Sequence, residues 1–135
     1  MSVRGPMFSN QKILVVEAEF LIALDIQRTL EGAQASEMAF ARHAEEAASL
    51  IVNHDAFDLA IVELNSNVPA SLNLARDLSA AGVAVVALSS SLRGKHPSPV
   101  GAFPIPIVHK PFTDDELLAA CIAALAGPDM STPSP

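Results

Sequence analysis

The chain has 135 residues, 50% of them hydrophobic and 17% charged, a length and composition that fit one globular domain and leave no room for a second. Its 15 acidic and 8 basic residues give a formal net charge of -7, and it has no Trp or Tyr. That balance repels phosphate backbones and supplies no aromatic series for stacking on bases, so no nucleic-acid binding is expected. No apolar run approaches the roughly 18 residues of a membrane span. The opening Met1-Ser2-Val3-Arg4-Gly5-Pro6 has no apolar segment behind it, and the single Cys121 has no partner for an internal disulfide. The expectation is a soluble, cytoplasmic protein with no membrane contact.

Residues 1–10 carry Gly5, Pro6, Ser9 and Asn10 without periodicity and are predicted to be a flexible lead-in to a domain over 11–126. Ile13-Leu14-Val15-Val16 reads as a first strand closed by Glu17-Ala18-Glu19. From Phe20 to Glu31 the apolar residues Ile22, Ile26 and Leu30 recur at every fourth position, and Gly32 stands as the helix stop. Ser36 to Ala41 is predicted as a weaker strand. Ala44 to Val52 follows as a helix with Ala47, Leu50 and Ile51 on its apolar stripe.

Phe57-Asp58-Leu59-Ala60-Ile61-Val62-Glu63-Leu64 is a continuous apolar run, the pattern of a parallel strand covered on both faces. It carries Glu63 to its carboxyl end, where ligand sites form in such sheets. Asn65 to Pro69 reads as a turn, Ser71 to Ala81 as a helix stopping at Gly82, and Val83 to Leu88 as a fourth strand. Between Ser89 and Pro104 the residues Gly94, Pro97, Pro99 and Gly101 leave no window for more than a turn or two of helix. Ile105 to Val108 is a last strand, at a sheet edge because Pro106 cannot donate to the ladder. Thr113-Asp114-Asp115-Glu116 is a capping box with Phe112 and Leu117 in staple positions. The helix it starts buries Leu118, Cys121, Ile122 and Leu125 on one face and stops at Gly127-Pro128. Residues 127–135 are predicted to be a disordered tail.

Strands alternating with helices of this size predict an α/β fold, a doubly wound five-stranded parallel sheet with helices on both faces. Its strand ends would gather Glu17, Glu63, Ser89 and Lys110 in one pocket. His43, His54, His96 and His109 are scattered without metal-ligand spacing, and His109 is expected to face solvent on the edge strand. No Gly-x-Ser-x-Gly elbow accompanies Ser89-Ser90-Ser91. An unrelated doubly wound enzyme would need a glycine-rich phosphate loop after the first strand, which is missing.

Lys12-Ile-Leu-Val-Val-Glu-Ala-Glu19, Phe57-Asp-Leu-Ala-Ile-Val-Glu-Leu64, Val85-Val-Ala-Leu-Ser-Ser90 and Val108-His-Lys-Pro-Phe112 stand in an order that resembles the receiver domain of two-component response regulators, across Lys12 to Ala126. The resemblance implies a flavodoxin-like receiver fold. It also implies a pocket in which an aspartate accepts a phosphoryl group from a histidine kinase, with Mg2+ held by that aspartate and an acidic pair. Ser89 and Lys110 match the positions that bind phosphoryl oxygens, and the Lys110-Pro111 bond is implied to be cis. The acidic pair is reduced to Glu17 and Ala18, the acceptor position holds Glu63, and the aromatic switch position holds Ile107.

These departures shape the expected function. Mg2+ demands near-octahedral oxygen ligands at about 2.0–2.1 Å, and phosphoryl transfer depends on positioning, where about 1 Å of error costs on the order of a hundredfold. Glu63 reaches farther than an aspartate and is expected to meet Lys110, a pair with a Coulomb energy of roughly 4 kcal/mol at about 4 Å before desolvation. The expectation is a stand-alone receiver-like module acting by phosphorylation-independent protein binding, with no catalytic residue and no cofactor beyond weak Mg2+ on Glu17 and Glu63. Its partner would be a histidine kinase or a downstream regulator. The alternative is a functional response regulator phosphorylated with Mg2+.

Overall fold

The computed structural model describes residues 8–35, 37–53, 57–64, 69–89 and 105–127. Five strands, β1 (Lys12–Val16), β2 (Glu37–Ala41), β3 (Leu59–Leu64), β4 (Ala84–Ser89) and β5 (Ile107–His109), form one parallel sheet in the order β2-β1-β3-β4-β5. Four helices are described: α1 (Phe20–Gly32), α2 (Ala44–Asn53), α3 (Pro69–Ala80) and α4 (Asp114–Ala126). The predicted α/β doubly wound sheet is thus present. The expectation of a missing or reduced helix between Ser89 and Pro104 falls on 90–104, outside the described residues, as do the expected tail beyond Gly127, His54 and His96.

Alternation along the strands builds two cores. Ile13, Val15, Leu59 and Ile61 point to the face covered by Ile26 and Leu30 of α1 and Leu117 and Cys121 of α4. Leu14, Val16, Ala60 and Val62 point to the other face, against Ala47 of α2 and Leu74 and Leu78 of α3. The two cores explain why β1 and β3 read as unbroken apolar runs: successive residues on both are buried. Cys121 is fully buried and its thiol is pushed up to about 12 by that burial, so it packs as core. No helix among the described residues is long and apolar enough to cross a membrane.

Several local expectations are corrected. Phe8, placed by expectation in the flexible lead-in over 1–10, is buried in the α1/α4 core, and its N–H donates to the Ala33 carbonyl (3.2 Å). Burying that ring outweighs the turn-forming residues around it. α1 runs through Gly32, and Gln34 takes the left-handed position at φ 77. The Ala35 N–H donates to the Leu30 carbonyl (2.9 Å) and the Gln34 N–H to the Glu31 carbonyl (3.0 Å), a Schellman arrangement. The same pattern ends α3, with Gly82 at φ 93. Pro69 opens α3 and so lies outside the turn, since a first-turn position needs no N–H. Pro106 precedes β5, its carbonyl accepting the Ala87 N–H (2.9 Å). The predicted capping box is formed in full: the Glu116 N–H donates to Thr113 Oγ1 (3.1 Å) and the Thr113 N–H to Glu116 Oε1 (2.9 Å).

Candidate functional site

The strand order places the topological switch between β1 and β3, which are neighbours although their connecting helices leave toward opposite sides of the sheet. A crevice opens there at the carboxyl ends of the strands, and the ends of β1, β3 and β5 each deliver one charged residue to it. Glu17 follows β1 directly, and its N–H still donates to the Ala41 carbonyl (2.9 Å), which fixes its orientation. Glu63 lies one residue inside the end of β3, and Lys110 follows β5, its N–H donating to the Ser89 carbonyl (2.9 Å). The Lys110-Pro111 bond is cis.

These three side chains meet. Lys110 Nζ donates to Glu17 Oε1 (3.1 Å) and Oε2 (3.2 Å) and to Glu63 Oε2 (3.1 Å), while Glu19 Oε1 stands 4.0 Å away. The Glu19 N–H donates to Glu17 Oε2 (2.9 Å), and the Ala18 N–H to Glu63 Oε1 (3.1 Å). All four carboxylate oxygens of Glu17 and Glu63 therefore carry a donor from the chain itself. The Glu17 carboxylate is 0% exposed, the Lys110 side chain 8% and the Glu63 side chain 22%, so this is a partly desolvated ion cluster and not a surface pair.

Burial pushes the Glu17 carboxyl above the ordinary 4.5, the Glu19 N–H and the Lys110 ammonium offsetting only part of that shift. Burial also works against the Lys110 ammonium, but its hydrogen bonds to Glu17 and Glu63 outweigh it and hold the group above 10.5. The formal charge of the three groups is -1.

Neither a family model nor a curated protein sequence matches the chain. Solved structures do. SdrG from Sphingomonas melonis Fr1 is 28% identical, with a TM-score of 0.68 over 87% of this chain and 97% of that one. A response regulator from Thermotoga maritima superposes with a TM-score of 0.68 at 22% identity, over 87% of this chain and 98% of that one. The PhyR response regulator REC domain of Erythrobacter litoralis gives 0.68 at 17% identity, over 94% and 98%. The chain has the receiver-domain fold of response regulators.

Within this fold, the predicted Glu17, Ala18, Glu63 and Lys110 are brought together. Ser89 is joined to the site through its carbonyl. Ile107, in the aromatic switch position, sits apart on β5, half-buried against the α2/α3 core. His109 corrects its expected solvent-facing placement: it is half-buried, and its Nδ1 is enclosed without a hydrogen-bond partner. His43 serves α2, its Nδ1 accepting the Glu46 N–H (3.3 Å).

Residue types could not announce two of the site's parts. One is the Ala18 N–H, a main-chain donor that any residue but proline supplies. The other is a cavity of about 320 Å³ beside Glu63, bounded also by Arg42, His43 and Ser71. The acidic run Glu17-Ala18-Glu19 was the only signal for Glu19.

Proposed function

We infer that this chain is a receiver-like signalling module of a two-component pathway that acts by binding a partner protein, a histidine kinase or a downstream regulator, without accepting a phosphoryl group. The observation that carries this reading is the engagement of Glu63. The group in the acceptor position has one oxygen on the Ala18 N–H and the other on the Lys110 ammonium. An attacking carboxylate needs a free, correctly placed oxygen in line with the donor phosphorus. Here each oxygen already accepts a hydrogen bond from the chain, which fixes the carboxylate's orientation and makes each oxygen a weaker nucleophile.

The pocket also does not suit the Mg2+ on which receivers rely. Ala18 contributes only its main chain, and the oxygens that would ligate the ion hold donors. Among the described residues no cluster of three His, Cys, Asp or Glu side chains is placed to hold a metal. The lone Cys121 keeps the cytoplasm as our reading of the compartment.

Phe20 and Leu21 support the binding role. Both are 75% exposed on the first turn of α1, directly after the site residues 17–19, and adjacent exposed large apolar side chains suit a protein partner. Incubation with Mg2+ and a small phosphodonor, followed by intact-mass measurement, is expected to show no phosphoryl adduct. An adduct on Glu63 would replace this reading with that of a phosphorylated response regulator.

A further inference from the structure

We propose that the Lys110 ammonium is the resident cation of this pocket and that it holds divalent ions out, so that the strand ends keep one conformation with or without Mg2+. The inference rests on the binding-module reading and names what regulates, or fails to regulate, the same site.

The argument starts from position. Nζ sits among three carboxylates, bonded to Glu17 and Glu63 and 4.0 Å from Glu19. That is the place a cation serving these groups would take. An ammonium donates along three N–H directions at hydrogen-bond length, whereas Mg2+ needs oxygens at about 2.0–2.1 Å in a near-octahedral shell. The two cannot share the position. To admit the ion, Lys110 would have to leave a site where its side chain is 8% exposed. It would also have to surrender its bonds to Glu17 and Glu63.

Tethering favours the lysine further. Its backbone is pinned by the Lys110 N–H on the Ser89 carbonyl, so the ammonium returns to the pocket at an effective concentration that a free ion in millimolar solution does not exceed. Glu63 completes the exclusion. Its length lets one carboxylate reach both the Ala18 N–H and Nζ, which draws the turn after β1 and the start of the β5–α4 connection together over the crevice. The module built this way has a fixed cation, and its state does not follow the metal.

Mn2+, a paramagnetic stand-in for Mg2+, tests this by NMR. In the wild type, millimolar Mn2+ is expected to leave the amide resonances of Ala18, Glu19, Glu63 and Lys110 unbroadened, and Mg2+ to leave the melting temperature unchanged. Lys110→Met removes the competing charge, and the variant is expected to bind Mg2+ about tenfold or more tightly than the wild type. If it is too unstable to fold alone, Mg2+ is expected to raise its stability by linkage, an effect absent from the wild type. Lys110→Arg keeps the charge and is expected to keep the exclusion. Saturable broadening around Ala18 in the wild type overturns the proposal. So does a Lys110→Met protein that neither binds nor is stabilised by Mg2+. Wild-type metal binding without a phosphoryl adduct would remove this inference alone, whereas an adduct would remove the binding-module reading.

Discussion

Lys110 ties the ion cluster together. Its ammonium neutralises Glu17, whose carboxylate is 0% exposed, and anchors Glu63. Removing one member of a buried ion cluster costs about 3–5 kcal/mol, mainly because the remaining charge is left unpaired. Lys110→Met is therefore expected to lower unfolding free energy by about that amount, measured by urea denaturation at neutral pH without divalent ions. The pH dependence follows from the two shifted groups. The folded-state value of Lys110 lies above 10.5, so its contribution is complete below 10.5 and is lost as pH rises through the raised value. Glu17 is also raised above 4.5. For a carboxyl this means the folded state holds the proton more tightly, so the associated stability is present below 4.5 and lost as pH rises through the folded value. Urea midpoints in the wild type are expected to fall at pH above 10.5, with that part of the alkaline decline missing in Lys110→Met. The charged side chains of this cluster were legible because each ends a strand. The Ala18 N–H was not, since a backbone donor depends on how the chain turns after β1 and on no side-chain type.

Element boundaries show where local preference and tertiary packing part. The α4 start was legible to the residue because the capping box is a local device, complete within Thr113 to Glu116. Thr113→Ala is expected to lose about 0.5–2 kcal/mol, read as a lowered melting temperature. The end of α1 departs from the expectation because glycine is the usual left-handed stop, whereas here the helix runs through Gly32 and the left-handed position falls two residues later on Gln34, which lets Ala35 turn into the core beside Leu30. A non-glycine residue at φ 77 carries strain. Gln34→Gly is accordingly expected to stabilise the fold by about 1 kcal/mol, a rise in melting temperature that the same change at Gly-free, negative-φ positions of α1 would reverse. Phe8 escaped a reading based on periodicity because it stands alone, held by the underside of α1 and not by a repeat. Phe8→Ala is expected to cost about 3–5 kcal/mol.

At the scale of the whole molecule, the fold and the chemistry of the pocket have separate sequence determinants. Alternating burial, the packing of the four described helices on the two faces and the β2-β1-β3-β4-β5 order are set by apolar residues, while the charges of the pocket come from Glu17, Glu63 and Lys110 at the strand ends. Ala18 and Glu63 can then change without disturbing the sheet, and a double substitution can ask whether they alone separate this pocket from one that takes phosphate. Ala18→Asp adds a carboxylate at an exposed position beside Glu17. Glu63→Asp shortens the side chain by one methylene and withdraws it from the Ala18 N–H and from Nζ, which now stand 3.1 Å from its two oxygens. The charge of the pocket, counted over positions 17, 18, 63 and 110, goes from -1 to -2, which favours a dication. With Ser89 and Lys110 retained, the double variant is expected to gain an Mg2+-dependent phosphoryl adduct on position 63 with a small phosphodonor, detected by intact mass and lost when Mg2+ is chelated. Each single variant is expected to fall short: Ala18→Asp leaves Glu63 engaged, and Glu63→Asp leaves position 18 without a carboxylate. A folded double variant that stays unmodified would show that the pocket departs from a phosphorylatable one at further positions, with the Ile107 side of β5 the first place to look.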